Sequence, residues 1–173
     1  MKKVVVIIAA IVLFAGSTKV MAQATENTAA AAKIVTPISI TETSSLHFGT
    51  MAILAGTPGT CVLSTQGVRT QTGGVNLSVQ APTASNAAYN VSGAVNTTYS
   101  ITLPASITVT SGPSSMTINA LLARTASAGS DGLTGTLSAG GTDSFTVGGT
   151  LNVSQGQATG TYTGTFDVTV AYN

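Results

Sequence analysis

The chain has 173 residues, with six Lys and Arg, five Asp and Glu and one His, for a formal charge of +1. Charged residues make up only 6% of it, against about 25% in an ordinary soluble domain, and such scattered cations cannot track a phosphate backbone, which excludes nucleic acid as a partner. One cysteine, Cys61, and one histidine, His47, exclude an intrachain disulfide and a His/Cys zinc cluster.

Residues 1–22 read as a secretory signal. Lys2 and Lys3 give the positive start, residues 4–15 the apolar stretch, and Val20-Met21-Ala22 a small-residue cleavage site before Gln23. The apolar stretch is too short to span a bilayer comfortably, so no transmembrane span is expected in the mature chain. The expected destination is the periplasm, the cell surface or the medium. After cleavage, Lys33, Arg69 and Arg124 face Glu26, Glu42, Asp131, Asp143 and Asp167, a net charge of −2. Such weak self-repulsion leaves copies free to associate.

Residues 23–32 (QATENTAAAA) are polar and then alanine-only, too short for a self-standing helix, and read as a flexible lead-in to one domain over 33–173. Residues 34–41 place Ile34, Thr36, Ile38 and Ile40 on one face of a strand, with Pro37 marking it as an edge. Leu46-His47-Phe48-Gly49 and 51–54 read as short strands before the turn cluster Gly56-Thr57-Pro58-Gly59. Cys61 falls in the next strand, 60–64, where a small buried apolar role is expected; an intermolecular disulfide is the other reading.

Further strands are predicted over 68–70, 75–79, 88–92, 98–103 and 107–110. Met116, Ile118 and Ala120 then share a face, and 121–131 reads as a long surface connection. Residues 133–137, 144–147 and 150–153 read as short strands separated by glycine pairs. The last stretch, 160–173, alternates Tyr162, Gly164, Phe166, Val168, Val170 and Tyr172 against mostly hydroxyl residues. As one strand it would run roughly 40 Å, so it is expected to bend or to serve two parts of a sheet, with Gly164 the place for a bend or a close backbone approach. Many short strands punctuated by Gly, Pro and Ser predict an all-β chain: an antiparallel β-sandwich, pilin-like or immunoglobulin-like with Greek-key connections.

The stock of reactive groups is thin. His47 has no evident partner, the acids are far apart in sequence, and no Gly-x-Ser-x-Gly elbow occurs. No catalytic activity, cofactor or metal is expected. A monomeric secreted carbohydrate-binding module is the rival reading; without Trp, its aromatic platform would fall to Tyr89 or Tyr99.

The terminal stretch resembles the end of chaperone–usher pilus subunits, which close on an alternating apolar strand with a penultimate tyrosine and a glycine fourteen residues from the end. Tyr172 is penultimate here, and Gly160 is fourteenth from the end. The chain is also similar to an uncharacterised family of exported bacterial domains, domain of unknown function four-four-zero-two. That similarity is carried by Ile38-Ser39-Ile40, Leu46-His47-Phe48-Gly49, Phe145-Thr146-Val147-Gly148-Gly149 and the terminal stretch. It implies a pilin-like or spore-coat-U-like sandwich with no assigned activity.

In pilus subunits the terminal strand pairs first with a periplasmic chaperone and then with the N-terminal extension of the next subunit, a form of β-augmentation. Carried over, Gly160, Tyr162, Gly164, Phe166, Val168, Val170 and Tyr172 form the assembly strand. Ile34, Ile38 and Ile40 are then either the donor strand or the protein's own first strand. The expectation from the resemblance is a structural or adhesive surface subunit that self-associates into a filament.

Overall fold

Residues 23–173 are described by a computed structural model; the signal-peptide reading falls on 1–22, outside the described residues. Residues 23–33 belong to a unit apart from Ile34–Asn173, and every one of them is exposed and without regular structure. The described residues contain no helix.

The strands are β1 (Ser39–Ser44), β2 (Met51–Ile53), β3 (Gly59–Leu63), β4 (Arg69–Gly73), β5 (Val75–Leu77) and β6 (Ala87–Ser92), followed by β7 (Thr98–Thr102), β8 (Ser106–Ser111), β9 (Ser114–Thr125), β10 (Thr134–Thr136), β11 (Thr142–Val153) and β12 (Thr169–Tyr172). All pair antiparallel, as chains joined by short turns do. The large sheet runs β1-β6-β11-β3-β4, with β9 also on β11 and β8 on β9; a second sheet runs β10-β7-β12, and β2 pairs with β5. The architecture is an all-β antiparallel sandwich.

The organising element is β11. One of its edges pairs first with β6, over Thr142 to Val147, and then with β3, over Gly149 to Val153. Its other edge carries β9 from Phe145 to Asn152. The sequence predicts two short strands here, broken by Gly148-Gly149, and the structure joins them into one of 12 residues. The glycines are close-approach positions and not a turn. A Cβ on Gly148 would strike the Leu63 carbonyl and lie 2.7 Å from the Ser64 carbonyl carbon and 2.9 Å from the Thr65 nitrogen. The chain leaving β3 crosses β11 at that point.

A second correction concerns 121–131, expected to be a surface connection. Its first part belongs to β9, whose register against β11 shifts at a bulge between Gly148 and Thr150. Ala120, at φ 48°, takes up the extra residue. Before the bulge the inward residues are even-numbered, Met116 and Ile118; after it they are odd-numbered, Leu121, Ala123 and Thr125. Two phases of a period-2 pattern in one strand cancel in a sequence window, which explains the weak periodicity.

β11 also spans both halves of the core. Leu151 and Val153 join Phe48, Cys61, Leu63, Val75, Ile107, Val109 and Ile118. Phe145 and Val147 join Tyr89, Val91, Tyr99, Ile101 and Leu137 in the other cluster. Cys61 is fully buried, and that burial pushes its thiol up against the opposing pull of Arg69. It behaves as a small core residue.

Candidate functional site

The terminal stretch keeps its two faces but not one continuous ladder. Tyr162, Phe166, Val168, Val170 and Tyr172 are half-buried, while every residue between them is exposed. Thr163 exchanges two backbone hydrogen bonds with Thr110 of β8, at 2.9 and 3.0 Å. Further on, Thr169 to Tyr172 form β12 against β7. The segment therefore joins the edge of the large sheet to the second sheet, as its predicted length required. Gly164 makes the expected close approach: a Cβ there would sit 2.5 Å from the Thr108 carbonyl oxygen. Gly160 lies hard against the Ser111 hydroxyl.

Between these two anchors, residues 164–168 keep the alternation of exposed and half-buried side chains but belong to no strand and make no backbone–backbone hydrogen bond among the described residues. Their side chains are nevertheless held. Phe166 packs against both core clusters, Tyr162 against the first, and Val168, Val170 and Tyr172 against the second. The Tyr162 hydroxyl donates to the Ala158 carbonyl at 2.8 Å and lies 2.7 Å from the Gln157 side-chain nitrogen, fixing the turn before the segment. At the far end, the Tyr172 hydroxyl accepts from the Ala94 N–H at 2.6 Å and donates to the Thr36 carbonyl at 2.7 Å. Only a glycine at position 93 leaves room for that hydroxyl. The penultimate tyrosine thus ties β12 to the entry of β1.

The predicted donor-or-first-strand residues divide. Ile38 and Ile40 pack on the second cluster, and β1 pairs with β6 as an edge strand of its own domain. Ile34 lies ahead of β1 and is 97% exposed. Pro37 falls outside the ladder, where its missing N–H costs nothing.

The other singled-out residues serve the fold. His47 is half-buried and bridges Ser85, its Nδ1 accepting the Gly49 N–H at 2.8 Å. Tyr99 is fully buried; its hydroxyl donates to Asp143 at 3.0 Å, and burial with that carboxylate pushes the phenol well above its ordinary range. Tyr89 is 8% exposed and stacks on Phe145 with ring centroids 5.0 Å apart. Both rings pack in the second core cluster. Among the described residues no group of three or more His, Cys, Asp or Glu could hold a metal.

Sequence reasoning did not anticipate the polar outer face of the large sheet. There Asn90 pairs with Ser144 and Thr146 with Arg124 across neighbouring strands. Asn90, Ser144 and Thr146 fall in the solvent-facing phase of β6 and β11, a signal present in their alternation.

A family model described as a domain of unknown function (DUF4402) matches residues 38–172. The chain belongs to the DUF4402 family. The match begins at Ile38, just ahead of β1, and ends at Tyr172, so this DUF4402 domain takes in all twelve strands of the described residues. No curated protein matches the chain. No solved structure does either.

Proposed function

We propose that this DUF4402 protein is an exported surface subunit, structural or adhesive, that assembles with further copies of itself by β-strand addition along its terminal segment. The observation that carries the reading is the pair of properties at 164–168. The side chains are seated on the core while the backbone groups have no ladder partner. An extended segment with free N–H and C=O groups is a template for a foreign strand, and main-chain pairing supplies the affinity in such additions. The sparse charge of the domain supports the same reading, since copies approach with little repulsion. A periplasmic chaperone is the partner expected to cover the segment before assembly. The secretory signal read over 1–22 supports export.

The test uses Asp167→Pro. Asp167 is exposed and its N–H has no backbone partner among the described residues, so proline removes a donor the monomer does not use. Sedimentation of the mature wild type is expected to show large species, and the variant a single-subunit species with an unchanged melting temperature. A wild type that stays a single subunit at high concentration contradicts the reading, as does a variant that assembles equally well.

A further inference from the structure

On the outer face of the large sheet, away from the terminal segment, lies an open cavity of about 600 Å³ whose lining also reaches Tyr89 and Phe145 of the second core cluster. We infer that this cavity is a binding site for a neutral saccharide, held by hydrogen bonds to its hydroxyls and not by ring stacking. Three strands supply its polar side chains in register. Asn90 of β6 is opposite Ser144 of β11, and Ala88 of β6 is opposite Thr146, which in turn faces Arg124 of β9. Paired side chains on neighbouring strands stand about 4.8 Å apart, close to the width of one sugar ring. Ala88 carries no side chain beyond its methyl group, so the floor is low where the wall residues are longer.

Several lining groups are unspent. The side chains of Asn90, Ser144 and Gln66 have no hydrogen-bond partner among the described residues, whereas Thr146 already donates to the Thr65 carbonyl at 2.7 Å. Amides and a hydroxyl offer donors and acceptors together, which is what vicinal sugar hydroxyls require. The charge balance argues for a neutral ligand. Arg124 lies 3.9 Å from Asp131, and Asp131 is itself held by the Thr65 hydroxyl at 2.6 Å. A carboxylate or phosphate would meet a cation already offset. The domain's other arginine, Arg69, donates to the carbonyls of Phe48, Thr50 and Ser78 and plays no part in the cavity. A neutral polyol meets no such penalty and can accept from the Arg124 guanidinium in the lining.

This inference does not depend on the assembly reading and is measured on the mature wild-type protein, whether or not it associates. Saturation-transfer NMR on that protein, with glucose, galactose, mannose, N-acetylglucosamine, lactose and maltose as probes and galacturonic acid as the charged comparison, reads the ligand class. The expected result is transfer to at least one neutral sugar. Affinity should fall about tenfold or more in Asn90→Ala/Ser144→Ala, whose circular dichroism and melting should match the parent because both residues face outward. Transfer to none of the neutral sugars, transfer confined to galacturonic acid, or neutral-sugar affinity unchanged in the double variant each overturns the proposal.

Discussion

Gly148 shows how one residue decides the topology. A strand edge can hand over from one partner to another only if the departing chain has somewhere to go, and here it goes directly over Gly148. All three nearest atoms are backbone, so a methyl group cannot be absorbed by a rotamer change. Gly148→Ala is expected to destabilise the domain by about 2–3 kcal/mol, read as a lower urea midpoint with an unchanged slope. Tyr99 supplies a second residue-level test. Its phenol is held neutral by burial and by Asp143, and the folded state therefore holds that proton more tightly than the unfolded chain. The sign follows: this contribution is fully present below the ordinary tyrosine value of 10.0 and is lost as pH rises beyond it. Tyr89, also raised by burial and by Glu42, adds in the same direction. Urea midpoints should fall steeply above about pH 10, and Tyr99→Phe should flatten the fall without removing it.

At the scale of the element, β9 and β11 explain what the sequence concealed. The glycine pair looked like punctuation because glycine serves turns and close approaches equally, and only the neighbouring strand distinguishes them. The bulge hid β9 by reversing which residues face inward at Ala120. Elsewhere the alternation was directly legible. The short strands β2, β3, β6, β7 and β8 fall within a residue or so of their predicted places, and the inward face of the terminal stretch holds at Tyr162, Phe166, Val168, Val170 and Tyr172, while Gly164 is exposed. The alternation could not show that, among the described residues, this stretch is paired only at Thr163 and from Thr169 to Asn173. Period-2 patterning reports which side is covered and says nothing about ladder partners. Ala120 also offers a prediction. A non-glycine residue in the left-handed region costs about 1–2 kcal/mol, partly offset by the extra freedom glycine has when unfolded. Ala120→Gly should therefore raise stability by about 0.5–1 kcal/mol in a thermal or urea melt.

For the whole molecule, two core clusters share one long strand and one crossing segment. Leu46, Leu121 and Phe166 touch both clusters, so the two halves are covered by common residues. Such a fold has few charges to keep copies apart and several edges where another strand could add. The β1 edge is guarded by Pro37 just ahead of it, by Glu42 and by a register shift between Glu42 and Ser44. The 164–168 edge lacks a proline or a register shift of its own, although Asp167 lies within it. That contrast is why assembly is proposed for the terminal segment and not for the first strand. Hydrogen exchange at the amides of 165–168, compared between single subunits and assembled material, tests the assignment most directly. Rapid exchange is expected in the subunit and strong protection on assembly; assembled material whose 165–168 amides still exchange rapidly would contradict the proposed pairing.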